Sequence, residues 1–104
     1  MKISKLGEFG LIERIKKTIK TDKTVIKGIG DDAAVLKIKD KYILVTTDLL
    51  IEGVHFDMKS ATPFWIGRKA IACSLSDIAA MGGVPRFATV TIWLPKNLTV
   101  EFVD

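Results

Sequence analysis

The stretch Gly28-Ile-Gly-Asp-Asp-Ala-Ala-Val-Leu-Lys-Ile-Lys-Asp-Lys-Tyr-Ile-Leu-Val-Thr-Thr-Asp48 carries the reading of the fold. Ala33 to Ile38 and Tyr42 to Thr47 are rich in Val, Ile and Leu, as strands are, and Lys39-Asp40-Lys41 is a short polar connection between them. The pattern predicts an antiparallel hairpin. A connection centred on Asp40 places Asp32 opposite Asp48. Directly opposed residues have Cβ atoms about 4.5–5.5 Å apart, and two like charges at that distance destabilise the ladder. A divalent cation between or beside them removes the conflict.

Outward from the hairpin the order of elements is α, β, β, α, β. Glu8 to Lys20 is expected to form an amphipathic helix, with Phe9, Ile12, Ile15 and Ile19 on one side. Thr62-Pro63 supplies an N-cap and a first-turn proline for a second helix. That helix is expected to run to about Met81 and stop at Gly82-Gly83, with Pro85 beyond. Phe87 to Leu94 alternates threonine with apolar residues and is expected to be another strand. Pro95-Lys96-Asn97 reads as a turn, after which Leu98 to Val103 opens a new apolar pattern that stops at Asp104. A helix that short is marginal alone, so the 104 residues read as a chain cut within a larger α+β domain.

The third acidic anomaly is Asp77, which shares a helical stripe with Ile66, Ala70, Cys73 and Met81. That helix is apolar around much of its circumference, which predicts burial on more than one side. A carboxylate there is costly unless satisfied. The plain alternatives are a helix–strand hydrogen bond or an ion pair with Lys69, Arg68 or Arg86. Asp32, Asp48 and Asp77 taken together favour a metal. Hard oxygen ligands without a His or Cys cluster select Mg²⁺ over zinc, and Thr46 and Thr47 add oxygens of the same kind.

Gly28-Ile29-Gly30 lets the backbone turn and approach an anion. It is not a dinucleotide fingerprint, which needs glycine where Ala33 stands. Nor is it a Walker A loop, because no Gly-Lys-Ser/Thr follows. The lone histidine, His55, lies just past the acidic strand end and is a candidate for substrate contact. No Ser–His–Asp or Cys–His arrangement supports nucleophilic catalysis.

Bulk properties bound the function class. Nearly half the residues are hydrophobic, which argues against disorder. The single cysteine, Cys73, argues against a disulfide framework. No apolar run approaches the length of a membrane span and the lysine-dotted N-terminus lacks a signal peptide's apolar region, so a cytoplasmic protein is expected. The net charge of +4 comes from the part before Tyr42, where basic residues are dispersed rather than clustered with aromatics. Nucleic acid is not the expected partner.

Three of these segments carry a family resemblance: Gly28 to Leu36, Val45 to Asp57, and Leu75-Ser-Asp-Ile-Ala-Ala-Met-Gly-Gly83. They look like the N-terminal domain of the thiamine-monophosphate kinases, within the superfamily of aminoimidazole ribonucleotide synthetase, selenophosphate synthetase and a hydrogenase maturation protein. Gly7-Glu-Phe-Gly-Leu-Ile12 is similar to the start of those kinases.

The resemblance implies an N-terminal domain over residues 1–104, with an antiparallel or mixed sheet, packed helices and barrel strands shared between two subunits. It implies ATP-dependent phosphorylation of thiamine monophosphate to thiamine diphosphate by direct transfer. Residues matching Asp32, Thr46, Thr47, Asp48 and Asp77 would hold Mg²⁺ against the nucleotide, with Asp32, Asp48 and Asp77 also counted as nucleotide-binding. His55 would contact thiamine monophosphate. Asp31 acquires no role beyond support of the turn.

Two departures stand against the pattern: the family's C-terminal domain and later Gly-Gly-Asp segment have no counterpart in these residues, and Ser74 stands where asparagine is frequent. A selenophosphate synthetase-like enzyme is the first rival, though its reactive N-terminal cysteine has no match before Cys73. A non-catalytic dimerisation or nucleotide-binding module is the second.

Overall fold

A computed structural model describes residues 1–104. Its centre is the expected hairpin. Three strands, β1 (Val25–Lys27), β2 (Ala34–Ile38) and β3 (Lys41–Val45), form an antiparallel sheet in the order β1-β2-β3. β1 escaped the sequence reading because three residues, Val-Ile-Lys, are too few to show alternation. It joins the sheet through a register irregularity between Val25 and Lys27, paired with Leu36 and Val35.

The hairpin register differs by one residue from the expected one. Ile38 pairs with Lys41 and Ala34 with Val45, so the loop is Lys39-Asp40 alone. Lys39 adopts φ 57, the sign that a tight two-residue hairpin loop requires at its first position. Two-residue loops match the right-handed twist of their strands, and that preference overrides a three-residue connection. Continued past Ala34, this register sets Asp32 against Thr47, and Asp48 falls outside the ladder.

The helix α1 (Ile3–Lys16) begins earlier and ends sooner than its apolar periodicity suggests. It is broken at Gly7 (φ 73, ψ 172). It does not reach Lys20: the Thr18 hydroxyl donates to the Ile15 carbonyl at 2.8 Å and the Thr18 amide binds the same oxygen, closing the turn.

The helix α2 (Pro63–Ala80) keeps its expected bounds. Thr62 Oγ1 accepts from the Trp65 amide at 3.3 Å. At the far end the Gly82 amide donates to Ala79 O and the Gly83 amide to Ile78 O, both at 3.0 Å, with Gly82 at φ 73. This is the Schellman pattern of two reverse bonds. A Cβ on Gly83 would collide with Leu44 Cδ1, so the absent side chain is what lets the end of α2 settle on β3.

Packing is one-sided. Ala33 is the one fully buried residue, and Leu44, Thr46, Asp77, Ile78, Met81 and Gly83 are half-buried around it. The stripe Ile66, Ala70, Cys73, Asp77, Met81 is the covered side of α2. Phe64, Trp65, Ile71 and Leu75 are exposed, which corrects the expectation that α2 is buried on more than one side: nothing else in this chain covers them.

Residues 87–94 form no strand, against the sequence expectation. A strand exists only through a ladder with a neighbour, and no edge of this sheet runs beside the segment. Phe87 and Trp93 stand 93% and 85% exposed. Pro95 opens the expected turn, its carbonyl accepting from the Leu98 amide at 3.2 Å, and α3 (Val100–Val103) follows. No helix is long and apolar enough to cross a membrane.

Candidate functional site

The site is built where β2 begins, β3 ends and α2 crosses. The Gly28–Asp32 turn brings the chain into β2, with Gly30 at φ 119, a conformation that L side chains rarely adopt. Asp31 serves that turn. Its Oδ1 accepts from the Asp32 amide at 2.8 Å and its Oδ2 pairs with Lys27 Nζ at 3.0 Å. The Lys27 hydrogen bond, helped by the Asp32 amide, holds the Asp31 carboxyl below the usual carboxylate range. Asp32 itself is exposed, and its main-chain carbonyl accepts from Thr46 Oγ1 at 3.0 Å.

Thr46 is the hub. It follows the last paired residue of β3 and is half-buried. Asp77 Oδ2 lies 3.4 Å from the same hydroxyl, whose one proton it shares with the nearer Asp32 carbonyl, so a single donor links the turn before β2 to the middle of α2. This contact is the helix–strand hydrogen bond that the sequence left open for Asp77. The ion pair is not formed. Arg68 lies over the Trp65 ring at 5.5 Å, Arg86 over the Phe87 ring at 5.7 Å, and Lys69 Nζ donates to the His55 carbonyl. The single ion pair of the chain is Lys27–Asp31. Asp77 therefore stands on a half-buried stripe with no cation paired to it and only one long hydrogen bond.

Asp48 lies on the other side of the strand end. Its Oδ1 accepts from the Leu49 amide at 2.8 Å. Thr47, Asp48 and Leu49 line an open depression of about 540 Å³ with Thr89, Thr91 and Trp93. The 87–94 segment was singled out in the sequence as a strand, and its part in this depression was missed. A second depression, about 480 Å³, is lined by the Gly28–Asp31 turn with Lys16, Ile19, Thr21, Ile26 and Lys27. It contains none of the metal-ligand candidates, so the chemistry points to the Thr46–Asp48 end instead.

No three His, Cys, Asp or Glu side chains stand together as a group able to hold a metal ion. Thr46 joins Asp32 and Asp77, whereas Asp48 opens to the neighbouring depression. The donor chemistry nonetheless fits a hard divalent cation. All the nearby donors are carboxylate, hydroxyl or carbonyl oxygens, and no Lys or Arg neutralises Asp32, Asp48 or Asp77.

His55 sits in a tight loop after the site. Its amide donates to Ile51 O at 2.8 Å, the Ile51 amide donates to His55 Nδ1 at 2.9 Å, and the Gly53 amide donates to Phe56 O at 2.8 Å. Lys69, considered from sequence only as a partner for Asp77, instead anchors this loop from α2.

The chain is similar over its whole length to known enzymes. Thiamine-monophosphate kinase of Aquifex aeolicus (strain VF5) is 45% identical over 104 residues, covering 100% of this chain and 32% of that enzyme. The enzyme of the same name from Buchnera aphidicola subsp. Acyrthosiphon pisum is 43% identical over 95 residues, 89% of this chain and 29% of its own length. That of Bacillus subtilis (strain 168) is 41% identical over 95 residues, 90% and 29%. The chain thus spans about a third of the length of these relatives. No solved structure matches it. The family described as AIR synthase related protein, N-terminal domain, matches residues 30–104, a range that holds the hairpin, Thr46, His55 and all of α2, and the chain belongs to that family.

Proposed function

We propose that this chain is the N-terminal, nucleotide- and Mg²⁺-binding domain of a thiamine-monophosphate kinase, which transfers phosphate from ATP to thiamine monophosphate to give thiamine diphosphate. The observation that carries the reading is Asp77: an unneutralised carboxylate on the covered face of α2, tied through Thr46 to Asp32. None of Arg68, Lys69 and Arg86, the cations considered for it, pairs with this carboxylate. The shared name of the relatives supplies the reaction. A selenophosphate synthetase-like reading is not favoured by those relatives.

Asp32, Thr46, Thr47, Asp48 and Asp77 are the residues that would hold Mg²⁺, with Asp32, Asp48 and Asp77 facing the nucleotide phosphates through it. Bound there, Mg²⁺ neutralises phosphate charge so that two polyanions can approach. The chain's own contribution is placement. Direct phosphoryl transfer needs alignment and charge neutralisation more than a covalent nucleophile, and no nucleophile–base pair is present in the site. His55 would contact thiamine monophosphate.

The exposed apolar surface supports a homodimer. Ile43 and Val45 on the far sheet face are 41% and 51% exposed, and Val90, Ile92 and Trp93 stand free on the 87–94 segment. In the dimer, residues 87–94 gain the ladder partner that they lack here. A cytoplasmic location belongs to the same reading, as the place where ATP is abundant.

Titration calorimetry with a non-hydrolysable ATP analogue, with and without Mg²⁺, tests the site. Asp48→Asn is expected to weaken Mg²⁺-dependent nucleotide binding at least tenfold, about 1.4 kcal/mol, with an unchanged far-ultraviolet circular dichroism spectrum. Equal affinity in the two proteins across a Mg²⁺ titration removes the site.

A further inference from the structure

We infer that Lys69 is a positioning residue that holds the His55 loop, and with it the His55 ring, against α2. The inference rests on the kinase reading for the identity of the ligand, but its geometry stands apart from it.

Two bonds clasp the peptide of Ile51 from residue 55. The His55 amide donates to Ile51 O, and the Ile51 amide donates to the His55 ring at Nδ1. A backbone N–H can only donate, so Nδ1 must be the acceptor and the ring proton of the neutral imidazole resides on Nε2. The one ring position left for a ligand is therefore a donor, suited to an acceptor atom such as a phosphate oxygen or a pyrimidine nitrogen.

The clasp is local to residues 51–56 and exposed, and by itself it leaves the loop free to move relative to α2. Lys69 removes that freedom. It lies on α2 two turns before Asp77, and its Nζ donates to the His55 carbonyl. One helix thus bears both a metal-ligand candidate and the anchor of the substrate-contact candidate. Held this way, the Nε2–H donor keeps a fixed distance from the Asp77 end of the site. Such preorganisation governs how often a bound phosphate is aligned for transfer.

The test is made on the whole chain labelled with ¹⁵N-histidine, comparing the native protein with Lys69→Met and Lys69→Arg. In the native protein, His55 is expected to show the Nε2–H tautomer, with the Ile51 and His55 amides protected from exchange. Lys69→Met is expected to free the loop from α2, speeding exchange at both amides about tenfold and shifting the His55 nitrogen signals. It should also weaken thiamine monophosphate binding, measured by calorimetry with Mg²⁺ and a non-hydrolysable ATP analogue, three- to tenfold. The affinity for that analogue should not change, and Lys69→Arg should restore both the spectrum and the binding.

Unchanged His55 nitrogen signals and amide exchange in Lys69→Met overturn the inference, whatever happens to binding. A native chain that shows the clasp and its loss in Lys69→Met, yet never binds thiamine monophosphate, supports the positioning role and sinks the substrate reading. Because Lys69 is exposed, Lys69→Gln serves as the second variant should Lys69→Met fail to fold.

Discussion

Asp77 and Asp31 show how differently two aspartates of one site are used. Asp31 is answered on both oxygens by Lys27 and the Asp32 amide, and its acidity is raised accordingly. A carboxyl whose folded pKa is depressed contributes stability above its unfolded value and loses it as pH falls through the folded one. The Gly28–Asp32 turn should therefore loosen on acidification below the ordinary aspartate range, and Asp31→Asn should abolish that dependence. An NMR titration of the Asp31 carboxyl and the Asp32 amide measures both. Asp77 is half-buried, has no cation paired to it and has one long hydrogen bond. Replacing it by alanine removes the unpaired carboxyl, improves helix propensity by about 0.5 kcal/mol and leaves Thr46 bonded to the Asp32 carbonyl. Without Mg²⁺, Asp77→Ala should melt about 3 °C higher, taking 4–8 °C per kcal/mol for a domain of roughly this size. A lower melting temperature in metal-free buffer contradicts this account.

At the scale of elements, α2 carries most of the design. Its start is fixed by Thr62 and Pro63 and its end by the two reverse bonds of Gly82 and Gly83. Thr62→Ala should cost about 1 kcal/mol through the lost cap, and Gly82→Ala about 1 kcal/mol through the left-handed conformation it imposes on a Cβ. The two sites lie at opposite ends of the helix, so the losses should add in chemical denaturation. These caps set where Asp77 sits in height above the sheet, and therefore whether it meets Thr46. The hairpin makes the complementary choice. A one-residue difference in register exchanges the two faces of a strand. The loop Lys39-Asp40 puts Leu44 and Thr46 towards α2 and leaves Ile43 and Val45 outside. Both elements were legible from the chain because their signals are local: a threonine–proline start, a double-glycine stop, runs of β-branched residues. The register was not, since it depends on whether one loop residue more or less best fits the twist of the strands.

The molecule as a whole is an open one. Its accessible surface is 9345 Å² and its radius of gyration 17.1 Å. A folded monomer of this mass typically exposes about 5,800 Å², and one of this length has a radius near 13 Å. The excess is apolar in large part, on the outer sides of α1 and α2, the far sheet face and residues 84–94. Such surface fits the docking face of the proposed dimer. Sedimentation should therefore show concentration-dependent self-association, and Trp93→Lys should shift it towards monomer while sparing the Thr46–Asp77 contact. A monomeric native chain at high concentration would refute the dimer. The sequence by itself determined the β2–β3 hairpin, both ends of α2, the α+β class and the aspartates worth suspecting, because caps, turns and periodicity act over a few residues. Only the tertiary structure decided that Thr46 joins Asp32 to Asp77, that no three acidic side chains gather in one group, that Lys69 meets the His55 carbonyl, and that residues 87–94 form no strand here. Those outcomes depend on which distant groups meet, and hydrogen-bond partners and sheet edges are chosen in space rather than along the chain.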